Sequence, residues 1–538
     1  MESIKTLSLD GPWTWVSLLG HAFVAVTAIL ALTFIRRVYF SPIGHVPGPF
    51  LASFSRLWHL KQIATGKQNL KLIEQHDKHG HFVRMAHNEV SVCHPNAVKA
   101  LLMTTLPKGN WYKIVCFPDY RFSTPFSMLD PKEKNECAKY LSTGYLQHNV
   151  LKSEPAMDEN ISKFLGWMDK FADDKKPMDL DNFFTYVAFD ITGEVVFSKP
   201  FGFMDKGADV NNSIAMNSIM ETYIAFVGYL QWLHVIFANP FVTWLKIMPM
   251  GHLYDTTMTA LKERQKNPDA RPDLAGHWFR GLEKAKKDKS RLFNQRCLEA
   301  FATANVGAGS DTVSTGLQSF VYHLLRQPGG WERIRDEIRA AQEEGRCQGE
   351  VISYDDAVRL PYLQACIKEG MRVIPPISDP KKKHRPDGHC NLDRNADELA
   401  PAGLPRVAPK GGVTIGETHF PEGVTLTVNP SVIHSSKELW GPDAREFNPE
   451  RWLGPDAAEK EKYFIPITDR FVNQWGAGYA SCPGQHIARL QLSKISATIV
   501  RDYDIRQVDR DAEWKWSSWF TCVPHDWPVY IEKQKGSS

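Results

Sequence analysis

The stretch Trp475-Gly476-Ala477-Gly478-Tyr479-Ala480-Ser481-Cys482-Pro483-Gly484 sets one cysteine in a glycine-rich turn. A helix-like run follows from His486 to Asp502, with Ile487, Leu490, Ile495 and Ile499 near helical spacing. A thiolate at that junction would sit at a helix N-terminus, where the peptide dipoles favour negative charge. Gly478 and Gly484 let the backbone turn sharply and pass close to a flat ligand. A cysteine in this setting can be an axial iron ligand that donates electron density. An ordinary buried cysteine in a turn fits the same residues.

A second segment breaks the rules of its own element. Arg291 to Leu325 reads as one very long helix with an apolar centre, yet it contains Ala308-Gly309-Ser310-Asp311-Thr312. Glycine, hydroxyls and a carboxylate are poor choices for a buried helix interior. Function is expected where a core segment breaks such a rule. Gly309 leaves room for a ligand, Thr312 can donate a hydrogen bond to dioxygen, and Asp311 can feed protons inward. A threonine-bonded kink is the alternative. Further on, Glu369 and Arg372 are an i,i+3 pair able to face one another on a helix. Arg451 follows in Phe447-Asn448-Pro449-Glu450-Arg451-Trp452.

Taken together, these segments resemble the cytochrome P450 family. The cysteine turn resembles Phe-x-x-Gly-x-Arg-x-Cys-x-Gly, with Gly478, Cys482 and Gly484 matching, Trp475 in place of Phe and Ala480 in place of Arg. The Ala308–Thr312 stretch resembles the oxygen-activation motif, apart from Val313 where Thr or Ser is usual. Glu369, Arg372 and Arg451 match a buried triad in which one carboxylate shared by two guanidiniums ties the chain together through bidentate bonds. Leu404-Pro405-Arg406-Val407-Ala408-Pro409 continues the pattern, with Arg406 at a propionate-binding position. Asp130-Pro131 opens a helix, Asp as cap and Pro in the first turn. Aligning Leu141-Ser142 puts Lys134 and Ala138 where the family carries a Trp or His and an Arg. Arg406 is then the one usual arginine kept, and Lys134 can reach a propionate as a point charge.

The resemblance is greatest to fungal microsomal members of the pisatin-demethylase kind. It implies a mainly α fold with a small β region, haem as cofactor with Cys482 as its thiolate ligand, and Asp311 and Thr312 as proton-directing residues. It also implies a monooxygenase that oxidises a hydrophobic secondary metabolite using O2 and electrons from NADPH through NADPH-cytochrome P450 reductase. A haem-thiolate isomerase or dehydratase that needs no reductase, and a non-catalytic haem binder, are the other readings.

Trp15 to Ile35 is an apolar run whose only ionisable side chain is His21, long enough to span a bilayer. Trp13 and Trp15 stand at one end and Arg36-Arg37 at the other, as interface aromatics and cytosolic positive charges do. No clean small-residue cleavage site follows, which argues against a removed signal peptide. Pro42, Pro47, Gly48 and Pro49 then make a stiff hinge. The expected layout is a single-pass anchor over residues 1–40, in the endoplasmic reticulum membrane, and a cytosolic catalytic domain over 41–538. The nine cysteines contain no Cys-x-x-Cys, which suits a reducing compartment and excludes a zinc ribbon. A net charge of +3 marks no bulk nucleic-acid binder. Residues 377–403 hold Lys381-Lys382-Lys383-His384-Arg385 and almost nothing apolar. They read as a disordered insert, either real or retained non-coding sequence.

Shorter elements follow the same logic. Lys71 to His79 and Trp331 to Glu344 read as helices, and Tyr186 to Phe197 as a buried one. Phe82–Met85 with Val90–Val92 reads as a hairpin. Lys108 to Leu129 reads as an aromatic loop, either a lid or binding loop or a packed surface loop. Ile219 to Met250, broken at Pro240, reads as two amphipathic helices that can touch a membrane or pack in the core. A helix is expected to begin at His434, and Trp516 to Ile531 to form a hairpin lining an apolar pocket.

Overall fold

The computed structural model describes residues 15–66, 68–245, 250–267, 271–374, 403–465, 482–512, 514–518 and 521–534. The apolar run forms one helix, Trp15–Tyr39, whose side chains face no other part of the protein over most of its length. Its C-terminal end is fastened to the body. Arg37 Nη1 donates to Phe54 O at 2.9 Å, and Arg84 Nη2 donates to Arg37 O at 3.0 Å.

The body is built around the helix Gln295–Leu324, started by the Asn294 side chain, which accepts from Cys297 N. Among the described residues, five helices pack on it: Leu180–Phe197, Met250–Gln265, Leu274–Lys287, Pro361–Val373 and Gln485–Asp502. Leu180–Phe197 is buried at every position except Asn182. Each large apolar side chain it buries contributes roughly 1.5–3 kcal/mol. Two glycines set how closely these helices approach. A Cβ on Gly309 would come within 2.6 Å of Thr192 Oγ1, and one on Gly316 within 2.8 Å of Leu492 Cδ2. Gly309 is therefore required by helix packing, and does not leave room for a ligand as its sequence position suggests.

The β content is small. Phe82–Ala86 pairs antiparallel with Glu89–Val92, which pairs parallel with Thr425–Val428, which pairs antiparallel with Leu404–Val407. This register sets Arg406 opposite Leu426. Two-stranded pairs join Val413–Ile415 to Thr418–Phe420, Tyr503–Gln507 to Val529–Lys533, and Lys515–Ser518 to Cys522–His525. The mainly helical fold with a small β region is as expected.

Some boundaries move, for local reasons. The region expected as two helices broken at Pro240 is broken twice among the described residues, into Ser213–Val227, Gln231–Phe237 and Pro240–Trp244: Asn239 accepts from Phe241 N and Val242 N and restarts the helix at Pro240 as expected, and a further break falls at residues 228–230. The helix expected to begin at His434 ends there. Asn429 caps it by accepting from Val432 N, with Pro430 in its first turn. The aromatic loop contains a 3-10 turn, Asn110–Val115. Its Trp111, Tyr112 and Phe117 are buried against Met220, Ile224 and Val227. It is a packed underlayer of Ser213–Val227 and not an open lid. Of the C-terminal hairpin, Trp519 and Phe520 lie outside the described residues, as does the 377–402 part of the polar insert.

Candidate active site

Cys482 stands three residues before the helix Gln485–Asp502. The amides of Gly484 and Gln485 donate to its sulfur. Burial pushes the thiol up to about 11, against the pull of those two donors. A cation bound at the sulfur would offset the burial cost and favour the thiolate. Gly484 has φ −77° and ψ 4°, open to any residue, so the described turn does not demand a glycine there. A Cβ would sit at ordinary contact distance, 3.9 Å, from the sulfur. Gly478 and Ala480 lie outside the described residues.

The central helix crosses the cysteine helix at the Gly316–Leu492 contact. Just before that crossing its burial pattern changes. Ser310 and Asp311 are buried, while Ala304, Ala308 and Thr312 keep solvent-accessible surface. Their spacing of four puts them on one face, leaving an open stripe along an otherwise enclosed helix. Thr312 Oγ1 donates to Ala308 O at 3.0 Å. The hydroxyl hydrogen is thus committed to the helix, and the oxygen faces outward as an acceptor, not as the donor its motif position suggests.

Asp311, next to Thr312 in the chain, is buried in a polar cluster. Asn217 Nδ2 donates to its Oδ2 at 2.5 Å, and its carboxyl shares a hydrogen bond with that of Glu221. Thr521 donates to Glu221 Oε2 through its hydroxyl and, at 3.4 Å, through its amide. All four residues are buried. Burial pushes the Asp311 carboxyl up to about 6, against the hydrogen bonds from Glu221 and Asn217. Burial, followed by the charge of Asp311, pushes Glu221 well above the usual carboxylate range. Glu221 was not singled out from the sequence; its signal was the one carboxylate in the Ser213–Val227 segment, four residues after Asn217.

Arg406 is fully buried. Its Nη1 donates to Tyr112 Oη at 2.8 Å and to Pro405 O at 3.0 Å, whereas Nε and Nη2 have no partner among the described residues. Lys108 pairs with Arg406 across a β-bridge. Its Nζ donates to Pro125 O at 3.0 Å and Phe126 O at 2.7 Å and lies over the Tyr112 ring. Burial, then repulsion from Arg406 and Lys134, holds the Lys108 ammonium well below its ordinary value. Burial also lowers Lys134, which is half-buried, while Lys132 and Lys139 on the same helix are exposed. Three basic side chains therefore converge, with Arg406 Nε and Nη2 unpartnered among the described residues, an arrangement that favours a dianionic group between them. Lys108 was also missed, hidden in the loop assigned to aromatic packing.

Glu369, Arg372 and Arg451 come together completely buried or nearly so. Arg372 donates to both Glu369 oxygens, at 2.9 and 2.7 Å, and to the carbonyls of His434, Ala444 and Glu446. Arg451 Nε and Trp452 Nε1 donate to the same carboxylate at 2.9 and 2.8 Å, and Arg451 Nη2 reaches Asp443.

A sulfur with two amide donors, an accessible stripe on the facing helix, and a buried cationic cluster with orphaned N–H groups fit a haem with its two propionates. Residues 47–385 and 397–525 match the family model for Cytochrome P450, and the chain belongs to that family. Its cofactor is a haem whose iron takes a cysteine ligand, and its activity is that of a haem-dependent monooxygenase. The break in the match falls inside the polar stretch 377–403. The chain is similar to a pisatin demethylase of Fusarium vanettenii, 28% identical over 523 residues, 95% of this chain and 93% of that one. It is similar to a cytochrome P450 monooxygenase of Aspergillus terreus, 29% over 499 residues, 90% and 94% of the two chains. It is also similar to cytochrome P450 monooxygenase asR2 of Sarocladium schorii, 28% over 547 residues, 97% of each.

Proposed function

We propose that this enzyme oxidises a hydrophobic small molecule of fungal secondary metabolism, with electrons from NADPH delivered by NADPH-cytochrome P450 reductase. It does so from the endoplasmic reticulum membrane, held by Trp15–Tyr39 with the catalytic domain in the cytosol. The fungal relatives and the apolar helix ending in Arg36-Arg37 support this reading.

Cys482 would hold the iron, with the amides of Gly484 and Gln485 easing the sulfur charge. Arg406, Lys108 and Lys134 would hold the propionates, the two lysines standing in for the arginines replaced by Ala138 and Ala480. The haem, once bound, supplies the reduction of dioxygen and the transfer of one oxygen atom. Asp311 holds a proton near the open stripe. Thr312, through its outward lone pairs, orients a donor there. Glu369, Arg372 and Arg451 fix the segment that leads to the cysteine loop.

The buried Asp311 carboxyl behind Thr312 carries the proposal. Cleaving dioxygen consumes protons at a defined place, which an isomerase or dehydratase does not need. The test uses membranes containing the full chain and the reductase, with a panel of lipophilic aryl methyl ethers, terpenoids and aromatic polyketides. Product carrying one added oxygen, or lacking one methyl group, should form only with NADPH and reductase. Product formed equally well without either would identify an isomerase or dehydratase. Haem binding with no NADPH consumption across the panel would identify a non-catalytic haem protein.

A further inference from the structure

Two carboxyls from different helices sharing a hydrogen bond in a buried site cannot both ionise at neutral pH. Asp311 receives Asn217 Nδ2 at 2.5 Å and lies against Glu221. Glu221 is held from its other side by Thr521. Each element packed here contributes a named group. Ser213–Val227 provides Asn217 and Glu221, the central helix provides Asp311, and the hairpin turn provides Thr521. Thr315 Oγ1 ties the same turn to the central helix through Cys522 O. No cation is among the groups acting on the two carboxyls within the described residues. The pair therefore keeps one proton between them.

We propose that Glu221 is a positioning residue for the monooxygenase reaction: it holds the Asp311 carboxyl toward the central helix and carries the reserve proton that recharges it. The shared proton moves from Glu221 to Asp311, the Glu221 O–H bond breaking as an O–H bond forms on Asp311, and Asp311 then releases that proton at the open stripe. Glu221 is then reprotonated from solvent water, so protons balance and no electrons move. Thr521 makes the relay depend on the hairpin turn being seated against Ser213–Val227. This inference rests on the proton-holding role assigned to Asp311.

The sign of the pH effect follows from the raised carboxyls. The stability Glu221 contributes is fully present below its unfolded-state value, near the usual carboxylate range, and is lost as pH rises through its elevated folded value. Glu221→Gln cannot ionise, so its melting temperature should climb relative to wild type as pH rises above the usual carboxylate range.

The test compares wild type, Glu221→Gln and Asp311→Asn as full-length haem-loaded proteins. The infrared band of a protonated carboxyl, sensitive to exchange into heavy water, should be present in wild type at neutral pH, kept in Asp311→Asn and lost in Glu221→Gln. Product per NADPH consumed should fall about tenfold in Glu221→Gln, less than loss of a direct proton donor costs, with a pH profile displaced from that of wild type. If Asp311→Asn stays fully coupled, the role assigned to Asp311 fails. If Asp311→Asn uncouples while Glu221→Gln keeps both the band and the wild-type pH profile, the Glu221 proposal alone is overturned. Should Glu221→Gln not fold, Thr521→Val provides the test. Removing a donor to Glu221 should move the band's titration to higher pH, and an unmoved titration overturns the proposal.

Discussion

Arg451 Nε donates to Glu369 Oε1 at 2.9 Å, joining residues 82 positions apart around one carboxylate. That carboxylate also receives Arg372, Trp452 and the Asn448 amide. Removing it would leave the Arg372 guanidinium buried with no opposing charge and Arg451 with Asp443 alone. A buried pair broken on one side typically costs about 3–5 kcal/mol. Glu369→Ala should therefore lower stability by that order, read by urea unfolding followed through tryptophan fluorescence. A loss below about 1 kcal/mol would mean that water enters and solvates the arginines.

The cationic cluster predicts haem retention. A charge-assisted contact is worth roughly 1.5–3 kcal/mol, or about a 10- to 150-fold change in an equilibrium. Arg406→Ala should lose haem on purification, measured as the ratio of haem to protein absorbance. Ala138→Arg should restore part of it. Lys108→Met and Lys134→Met should each weaken retention further in the Arg406→Ala background. Full haem occupancy in Arg406→Ala would remove Arg406 from the propionate site.

Thr312→Ala removes a hydroxyl and little volume, so fold and haem content should survive. NADPH oxidation should continue while more of the reduced dioxygen leaves as hydrogen peroxide. The readout is product and peroxide per NADPH. Unchanged coupling would assign proton control to Asp311 and water alone.

Deleting residues 1–39 should release the enzyme from membranes with its haem in place, because every described group assigned to the haem lies in the body. Trp232, Phe241 and Trp244 are exposed on the short helices after Ser213–Val227, and they provide a second apolar surface. Full membrane retention of the truncated protein, measured by flotation, would make that surface the main attachment.

What could be read from the sequence was local. Glu369 and Arg372 lie within one helical turn, and Asp130-Pro131 announces its own helix start, with Asp130 accepting from Lys132 N as a cap should. Arg451 was reachable through the short segment around it. Glu221 and Lys108 were not, because a single polar residue in an apolar segment gains meaning only from a partner brought by the fold. Gly309 was misread for the same reason: Thr192, which crowds it, sits on another helix. The direction of the Thr312 hydroxyl depends on rotamer choice, which motif spacing does not encode. The extra break at residues 228–230, where Gly228 ends one helix and Leu230 precedes the next, left no mark in the apolar pattern, and the early start at Pro430 turned on an asparagine cap that competes with that pattern.

Cys482 is assigned as the thiolate ligand of a haem. The carbon monoxide difference spectrum of the reduced protein tests it most directly, with wild type and Cys482→Ala compared at equal protein concentration. Wild type should show the red-shifted Soret band of a thiolate-ligated ferrous haem, and Cys482→Ala should show none of it. The same band persisting in Cys482→Ala would contradict the assignment and move the ligand to another cysteine.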